Sequence, residues 1–213
     1  MTEILSYSQV SDMPEVVARA TQVLSQQKVA VFPTDSVYGI GCAATPHNPA
    51  YHKIFEIKNR PAQQVLPWLI ADIEELSRFG TQLFDYTYAL AEAFWPGALT
   101  LIVEAAPDID PMYVGEDGTI ALRLPDADIV RAIIRALGVP LATTSANLHG
   151  GHSPESFAAL DKRIIEAADV VIDGGATDVG VESTIIVCTQ KEPQVVRYGA
   201  LSLQELKNSG AFH

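Results

Sequence analysis

Cysteine is almost missing from the chain, and that scarcity removes whole classes of architecture. Cys42 and Cys188 are the only two in 213 residues, with neither a C-x-x-C pair nor an even-spaced framework. A disulfide scaffold is therefore excluded, and both are expected as reduced thiols. No zinc-ligand set appears either. His149 and His152 stand in a glycine-rich loop without partner cysteines, which predicts solvated loop histidines. Basic residues are scarce as well: 14 Lys and Arg face 26 Asp and Glu, for a net charge of −12. Such a surface repels a nucleic-acid backbone, whose non-specific binding depends on cations releasing counterions. Every apolar run is too short to cross a bilayer. The acidic N-terminal stretch, MTEILSYSQVSDMPEVV, carries no basic leader. A soluble, cytoplasmic protein is expected. Walker-A, G-x-S-x-G and H-E-x-x-H sequences are absent too, which removes support for P-loop and hydrolase chemistry.

What remains is ample material for one core. A hydrophobic content of 48% over 213 residues predicts one domain spanning residues 1–213. Asp12 and Glu15 have capping-box spacing, and Val16, Val17, Ala20, Val23 and Leu24 follow at helical period. VAVF at 29–32 predicts a buried strand ended by Pro33. A helix is expected from Pro49, behind Asn48, through Ile57. Strands are expected over 66–70, 99–103, 119–124, 141–144, 170–173, 184–188 and 194–197. Further helices are expected over 84–94, after a cap at Asp126, from Ser153-Pro154, and after Ser202 with Glu205. The alternation gives an α/β fold around a large, mixed sheet.

Polar residues beside these apolar runs mark a cleft at strand ends. In PTDSVYGIG, Thr34 and Ser36 read as hydroxyls facing that cleft. The loose dinucleotide fingerprint of Gly39, Gly41 and Ala44 fails, because Pro33 and further residues separate it from its strand and no helix follows directly. Lys58 and Arg60 follow a helix and precede a polar bend, where ammonium and guanidinium can share a polyphosphate; complementing the helix dipole is the plainer role. Arg123 stands at a strand end among apolar neighbours, so it must be paired. A ligand carboxylate satisfies it, and so does an internal Asp or Glu. Ser145, Ala146 and Asn147 leave an apolar strand directly, the position where open α/β sheets hold ligands, although Asx and Ser turns use the same residues. The loop from Gly174-Gly175 to Gly180 reads as a phosphate nest or as a glycine-rich turn. Cations concentrated in a cleft of an acidic protein suit a small anionic ligand.

Jointly and in order, PTDSVYGIG, Lys58-x-Arg60, FWPGALTLIV, RLPDADIV, Ser145-x-Asn147 and GVESTIIV resemble the YrdC-like threonylcarbamoyl-AMP synthase family, in its short, single-domain form, over nearly the whole chain. The resemblance implies the YrdC-like fold, a large twisted sheet flanked by helices with a central cleft. It implies a nucleotidyltransferase that joins L-threonine, bicarbonate or CO2, and ATP with its magnesium into threonylcarbamoyl-AMP and pyrophosphate. A downstream tRNA threonylcarbamoyl transferase complex would receive the product, and no membrane or tight direct nucleic-acid partner is expected. Carried over by position, Lys58, Arg60, Ser145 and Asn147 are the catalytic set. ATP lies against these four with Thr119 and Arg197, and threonine against Ser36, Arg123 and Ser183, Arg123 taking the carboxylate. No protein metal site is implied. This chain departs from the pattern in places. Asp35-Ser36 stands where many members read Glu-Thr. Val65 and Leu69 replace a Pro-Leu strand with a histidine, and Glu155 stands where a threonine often contacts the nucleotide. The chain also ends near His213, without the linker and second domain of longer relatives. Two other readings are an RNA-binding or ribosome-associated module, opposed by the acidic balance, and a carbamoyl-adenylate-forming relative of the hydrogenase-maturation type, whose acylphosphatase-like and Cys-rich segments are missing here.

Overall fold

Helical period and capping set the outer layers of the molecule, and runs of β-branched residues set the sheet between them. The computed structural model describes residues 2–7, 9–59 and 65–208. Its strands are β1 (Glu3–Ser6), β2 (Ala30–Phe32), β3 (Gly39–Ala43), β4 (Trp68–Leu69), β5 (Gly80–Thr81), β6 (Leu99–Ala105), β7 (Thr119–Arg123), β8 (Leu141–Ser145), β9 (Val170–Asp173), β10 (Thr184–Val187) and β11 (Gln194–Arg197). Its helices are α1 (Met13–Leu24), α2 (Pro49–Lys58), α3 (Glu75–Phe79), α4 (Asp85–Phe94), α5 (Asp128–Leu137), α6 (Lys162–Ala167) and α7 (Leu203–Asn208). Among the described residues the strands form one sheet, in the order β1, β9, β2, β3, β8, β4, β7, β6, β10, β11, with β5 beside β6. Parallel pairs (β1 with β9, β9 with β2, β4 with β7, β6 with β10) are mixed with antiparallel ones. This is the mixed α/β sheet that the sequence predicts.

Strands β2 and β3 are buried at every position because both faces of the sheet are covered there. Alternation sorts the side chains of the sheet. Ala30, Phe32, Leu69, Leu141, Val170 and Ile172 face one layer. Val31, Trp68, Ile70, Ala142 and Val171 face the other. On the first face lie α1 and α5, whose buried Val16, Ala20, Val23, Ile129, Ile133 and Ile134 fall at helical period. Each large aliphatic side chain so buried contributes about 1.5–3 kcal/mol. Helix α5 ends at Gly138, whose φ of 71° suits a residue without Cβ. Helix α2 starts as predicted: the Asn48 side chain accepts from the Ala50 N–H at 2.9 Å. Helix α7 opens on the predicted box, with Glu205 accepting from the Ser202 N–H and Ser202 Oγ accepting from the Glu205 N–H.

Several local expectations are corrected. Asp12 makes no capping bond, because it already lies in a helical turn (Val10–Asp12) and its carboxylate accepts from Gln9 and Ser11. Asp126 is no cap either: α5 begins two residues later behind Ala127, and Asp126 lies 3.7 Å from Arg131. No helix starts at Ser153-Pro154. The Pro154 carbonyl accepts from the Tyr38 N–H, Ser156 bridges to Ala176, and the helix waits for α6, capped by Asp161. The strand expected over 66–70 is reduced to the two residues of β4. Strand β3 was hidden by its glycines, which favour turns in isolation. They are needed there because a Cβ on Gly41 would lie 2.6 Å from Thr143 Oγ1 and 2.8 Å from the Ala142 carbonyl.

Candidate active site

The strand ends surround a cavity of about 700 Å³. Leu69, Ile102, Ala121 and Ile185 give it apolar walls, while the loop after β2 and the ends of β7, β8 and β11 bring polar groups. Val65 also lines it, so both departures near β4 face the cavity as hydrocarbon.

Arg123, the last residue of β7, is buried in the cavity wall. Its Nη2 donates to Asp35 Oδ1 at 2.6 Å, its Nη1 to Ser36 Oγ at 2.8 Å and its Nε to the Gly97 carbonyl at 3.0 Å. The internal acid that the sequence left open is thus Asp35. Burial pushes the guanidinium pKa down, and Asp35 opposes that shift through charge and hydrogen bonding. Sequence reading singled out the hydroxyls on either side of Asp35 and noted its carboxylate only as the counterpart of a family glutamate, without assigning it a partner. The available signal was Arg123 itself, since a buried cation demands an acid. Thr34 shapes this loop: its Oγ1 donates to the Val37 carbonyl at 2.7 Å and accepts from the Ser36 and Val37 N–H groups. That arrangement turns Ser36 toward Arg123.

At the neighbouring wall, Ser145 ends β8 and lines the cavity. Lys58, at the end of α2, is buried behind it. Its Nζ donates to the carbonyls of Ser145 and Asn147, at 2.5 and 2.6 Å. Ser145 Oγ donates to Asn147 Oδ1 at 2.5 Å, and Asn147 Nδ2 donates to the Leu148 and Gly151 carbonyls. Lys58, Ser145 and Asn147 therefore come together, with the ammonium organising the turn that presents Ser145; of the three, only Ser145 lines the cavity. Arg60 lies outside the described residues.

The third wall belongs to Arg197 at the end of β11. Its Nη1 meets Glu182 Oε2 at 2.6 Å, and its Nε and Nη2 donate to the Ser183 carbonyl at 3.1 and 2.9 Å. Ser183 Oγ lies 2.8 Å from Thr100 Oγ1, both hydroxyls buried and lining the cavity. Glu182 is held in turn by Ser153 Oγ. Thr119 also lines the cavity and donates to Asp117 Oδ1 at 2.7 Å. Glu182 and Thr100 were missed by sequence reading; both belong to motifs that it quoted for other residues.

The phosphate nest is not formed. The N–H groups of Gly174, Gly175, Thr177 and Val179 donate to Tyr38 Oη, Asp173, Glu155 and Asp35 respectively, so the glycine-rich loop is a turn strapped to the segment after β2. Glu155 lines a neighbouring cavity of about 640 Å³ with Glu182. His149 and His152 are exposed. Cys42 and Cys188 are buried free thiols whose pKa burial pushes up to about 12, so neither is poised as a nucleophile. Among the described residues no group of three His, Cys, Asp or Glu side chains could hold a metal ion. No helix among them is long and apolar enough to cross a membrane.

Comparison with known proteins places this geometry. The Sua5/YciO/YrdC family model, described as telomere recombination, matches residues 22–199. The threonylcarbamoyl-AMP synthase of Bacillus subtilis is 36% identical over 90% of this chain and 55% of its own length. The putative threonylcarbamoyl-AMP synthase of Methanocaldococcus jannaschii is 33% identical over 84% of this chain and 83% of its own. A crystal structure of Pyrococcus abyssi Sua5 complexed with L-threonine superposes with a TM-score of 0.89, at 32% identity, over all of this chain and 62% of that one. The chain spans about half the length of the Bacillus relative. With the matched region covering most of its residues, the chain belongs to the Sua5/YciO/YrdC family.

Proposed function

We propose that this protein is an L-threonylcarbamoyladenylate synthase, a nucleotidyltransferase that makes threonylcarbamoyl-AMP and pyrophosphate from L-threonine, bicarbonate or CO2, and ATP. One observation carries the reading. A single cavity is lined by two arginines, each bonded to a serine hydroxyl, Arg123 to Ser36 and Arg197 to Ser183. That is a place for a carboxylate and a place for phosphate within one enclosure of about 700 Å³. Relatives named for this synthesis, and one bound to L-threonine, support it.

In this reading Arg123, Ser36 and Ser183 receive threonine, with its carboxylate on the Arg123 guanidinium. ATP lies against Arg197, Thr119 and the Ser145 turn, whose shape Lys58 and Asn147 fix; the family pattern assigns Arg60 to its phosphates. The threonine amine adds to CO2 and loses a proton, giving a carbamate. A carbamate oxygen then attacks the α-phosphorus, a new P–O bond forms, and the bond to the bridging oxygen of pyrophosphate breaks with its electron pair. Fixed cations stabilise the charge that spreads to the leaving group. No protein nucleophile is needed, in keeping with two inert cysteines. Magnesium enters as the companion of the ATP phosphates. The described residues bring no three-ligand cage, and a nucleotide-borne ion is held by phosphates and water. The adenylate passes to a tRNA threonylcarbamoyl transferase complex in the cytoplasm, and the net charge of −12 fits an enzyme that does not itself grip RNA.

Purified protein with ATP, magnesium and bicarbonate, with and without L-threonine, tests this directly. The expected result is pyrophosphate release that depends on both threonine and bicarbonate, with threonylcarbamoyl-AMP in the mass spectrum. Release that ignores threonine, or no release, overturns the assignment.

A further inference from the structure

Asp35 has no place in the reaction just described, yet it makes the shortest contact to Arg123, at 2.6 Å. Both residues are buried, and only Arg123 is in the cavity wall; Asp35 lies behind it, between Thr34 and Ser36, which do line the cavity. Its backbone is fixed as well, since the Asp35 carbonyl accepts from the Val179 N–H at 2.9 Å. The guanidinium keeps two further anchors, the Gly97 carbonyl and Ser36 Oγ. Orientation therefore does not depend on Asp35 alone. Among the partners of Arg123 only Asp35 supplies a negative charge, close enough to cancel that of the guanidinium, and both side chains are largely shielded from water.

That cancellation changes what the site selects. A bare buried arginine attracts any anion, and the proposed reaction fills this cavity with them: bicarbonate, ATP phosphates, pyrophosphate. A neutral pair does not draw a net anion by charge, while its remaining N–H groups still hydrogen-bond a carboxylate whose molecule is neutral overall. We propose that Asp35 is a positioning residue that makes the Arg123 pocket selective for a zwitterionic α-amino acid over net anions. This rests on the amino-acid half of the proposed function.

Calorimetric binding of three probes tests it: L-threonine, 2,3-dihydroxybutanoate (the same skeleton with hydroxyl in place of ammonium) and inorganic sulfate. Wild-type protein should prefer threonine to the hydroxy acid by at least fivefold. In Asp35→Asn, which keeps an oxygen acceptor for Nη2, that preference should fall at least fivefold and sulfate affinity should rise at least fivefold. Asp35→Glu should restore the wild-type ratio, which a purely structural role for the carboxylate does not require. A wild-type preference under fivefold overturns the proposal whether or not Asp35→Asn folds, and so does an unchanged ratio in a folded Asp35→Asn chain. If wild-type protein binds no amino acid at all, the substrate reading fails instead. The sulfate comparison still reports on Asp35.

Discussion

Arg123 and Arg197 face the same cavity from two walls built alike and placed differently. Each guanidinium bonds a carboxylate and the serine that follows it in sequence, Asp35-Ser36 for one and Glu182-Ser183 for the other. The Arg123 pair has side-chain exposures of 8% and 6%; the Arg197 pair has 41% and 36%. Burial decides what each can do. Separating the inner pair strands a charge away from water, so it stays closed and acts as one neutral unit. The outer pair is worth little in water and can exchange Glu182 for a phosphate at small cost. In the proposed reaction the same chemistry would give a fixed recognition element at one wall and an exchangeable cation at the other.

Breaking the inner pair should have the largest effect. Arg123→Ala leaves Asp35 buried without its cation and should cost about 3–5 kcal/mol of stability, read from a denaturant midpoint. In protein that still folds, the threonine requirement should rise far more than the ATP requirement. Equal shifts in both would reduce Arg123 to a structural ion pair. Arg60→Ala should lower turnover by more than roughly tenfold with an unchanged melting temperature; normal turnover removes it from the site. At the outer wall, Arg197→Ala should raise the ATP requirement about tenfold while stability changes by less than about 1 kcal/mol. A stability loss as large as that of Arg123→Ala would erase the contrast between the walls. The smallest effect belongs to Glu182→Gln, which should strengthen ATP binding by about two- to fivefold, in line with an exposed pair worth up to about 1 kcal/mol. Weaker binding would mean that Glu182 orients Arg197 for the nucleotide and does not compete with it.

Much of this was legible in the chain, for identifiable reasons. Strand β9 was readable as an unbroken apolar run, helix α5 because its apolar residues keep the helical period, and helix α2 because Asn48 and Pro49 mark its start. Strand β3 was not, since Gly39 and Gly41 carry a turn signature and only the Thr143 side chain across the sheet explains them. The cap expected at Asp126 failed because α5 starts at Asp128 behind Ala127, which leaves Asp126 one residue too early and 3.7 Å from Arg131. At the site, cations were visible as misplaced charges in apolar segments. Their carboxylates were hidden: Asp35 is 88 positions from Arg123 in sequence, and nothing local links them.

Lys58 carries one more consequence. Its ammonium grips the carbonyls of Ser145 and Asn147, while its own carbonyl accepts from the His149 N–H at 2.9 Å. The end of α2 and the turn after β8 are thereby clamped into a single mechanical joint. Asn59 follows at once in the left-handed conformation, with φ 51°, and the chain then runs on to Arg60. The position of Ser145 at the cavity is thus set by a residue that does not line the cavity itself, and removing the Lys58 ammonium would loosen both ends of the joint at once.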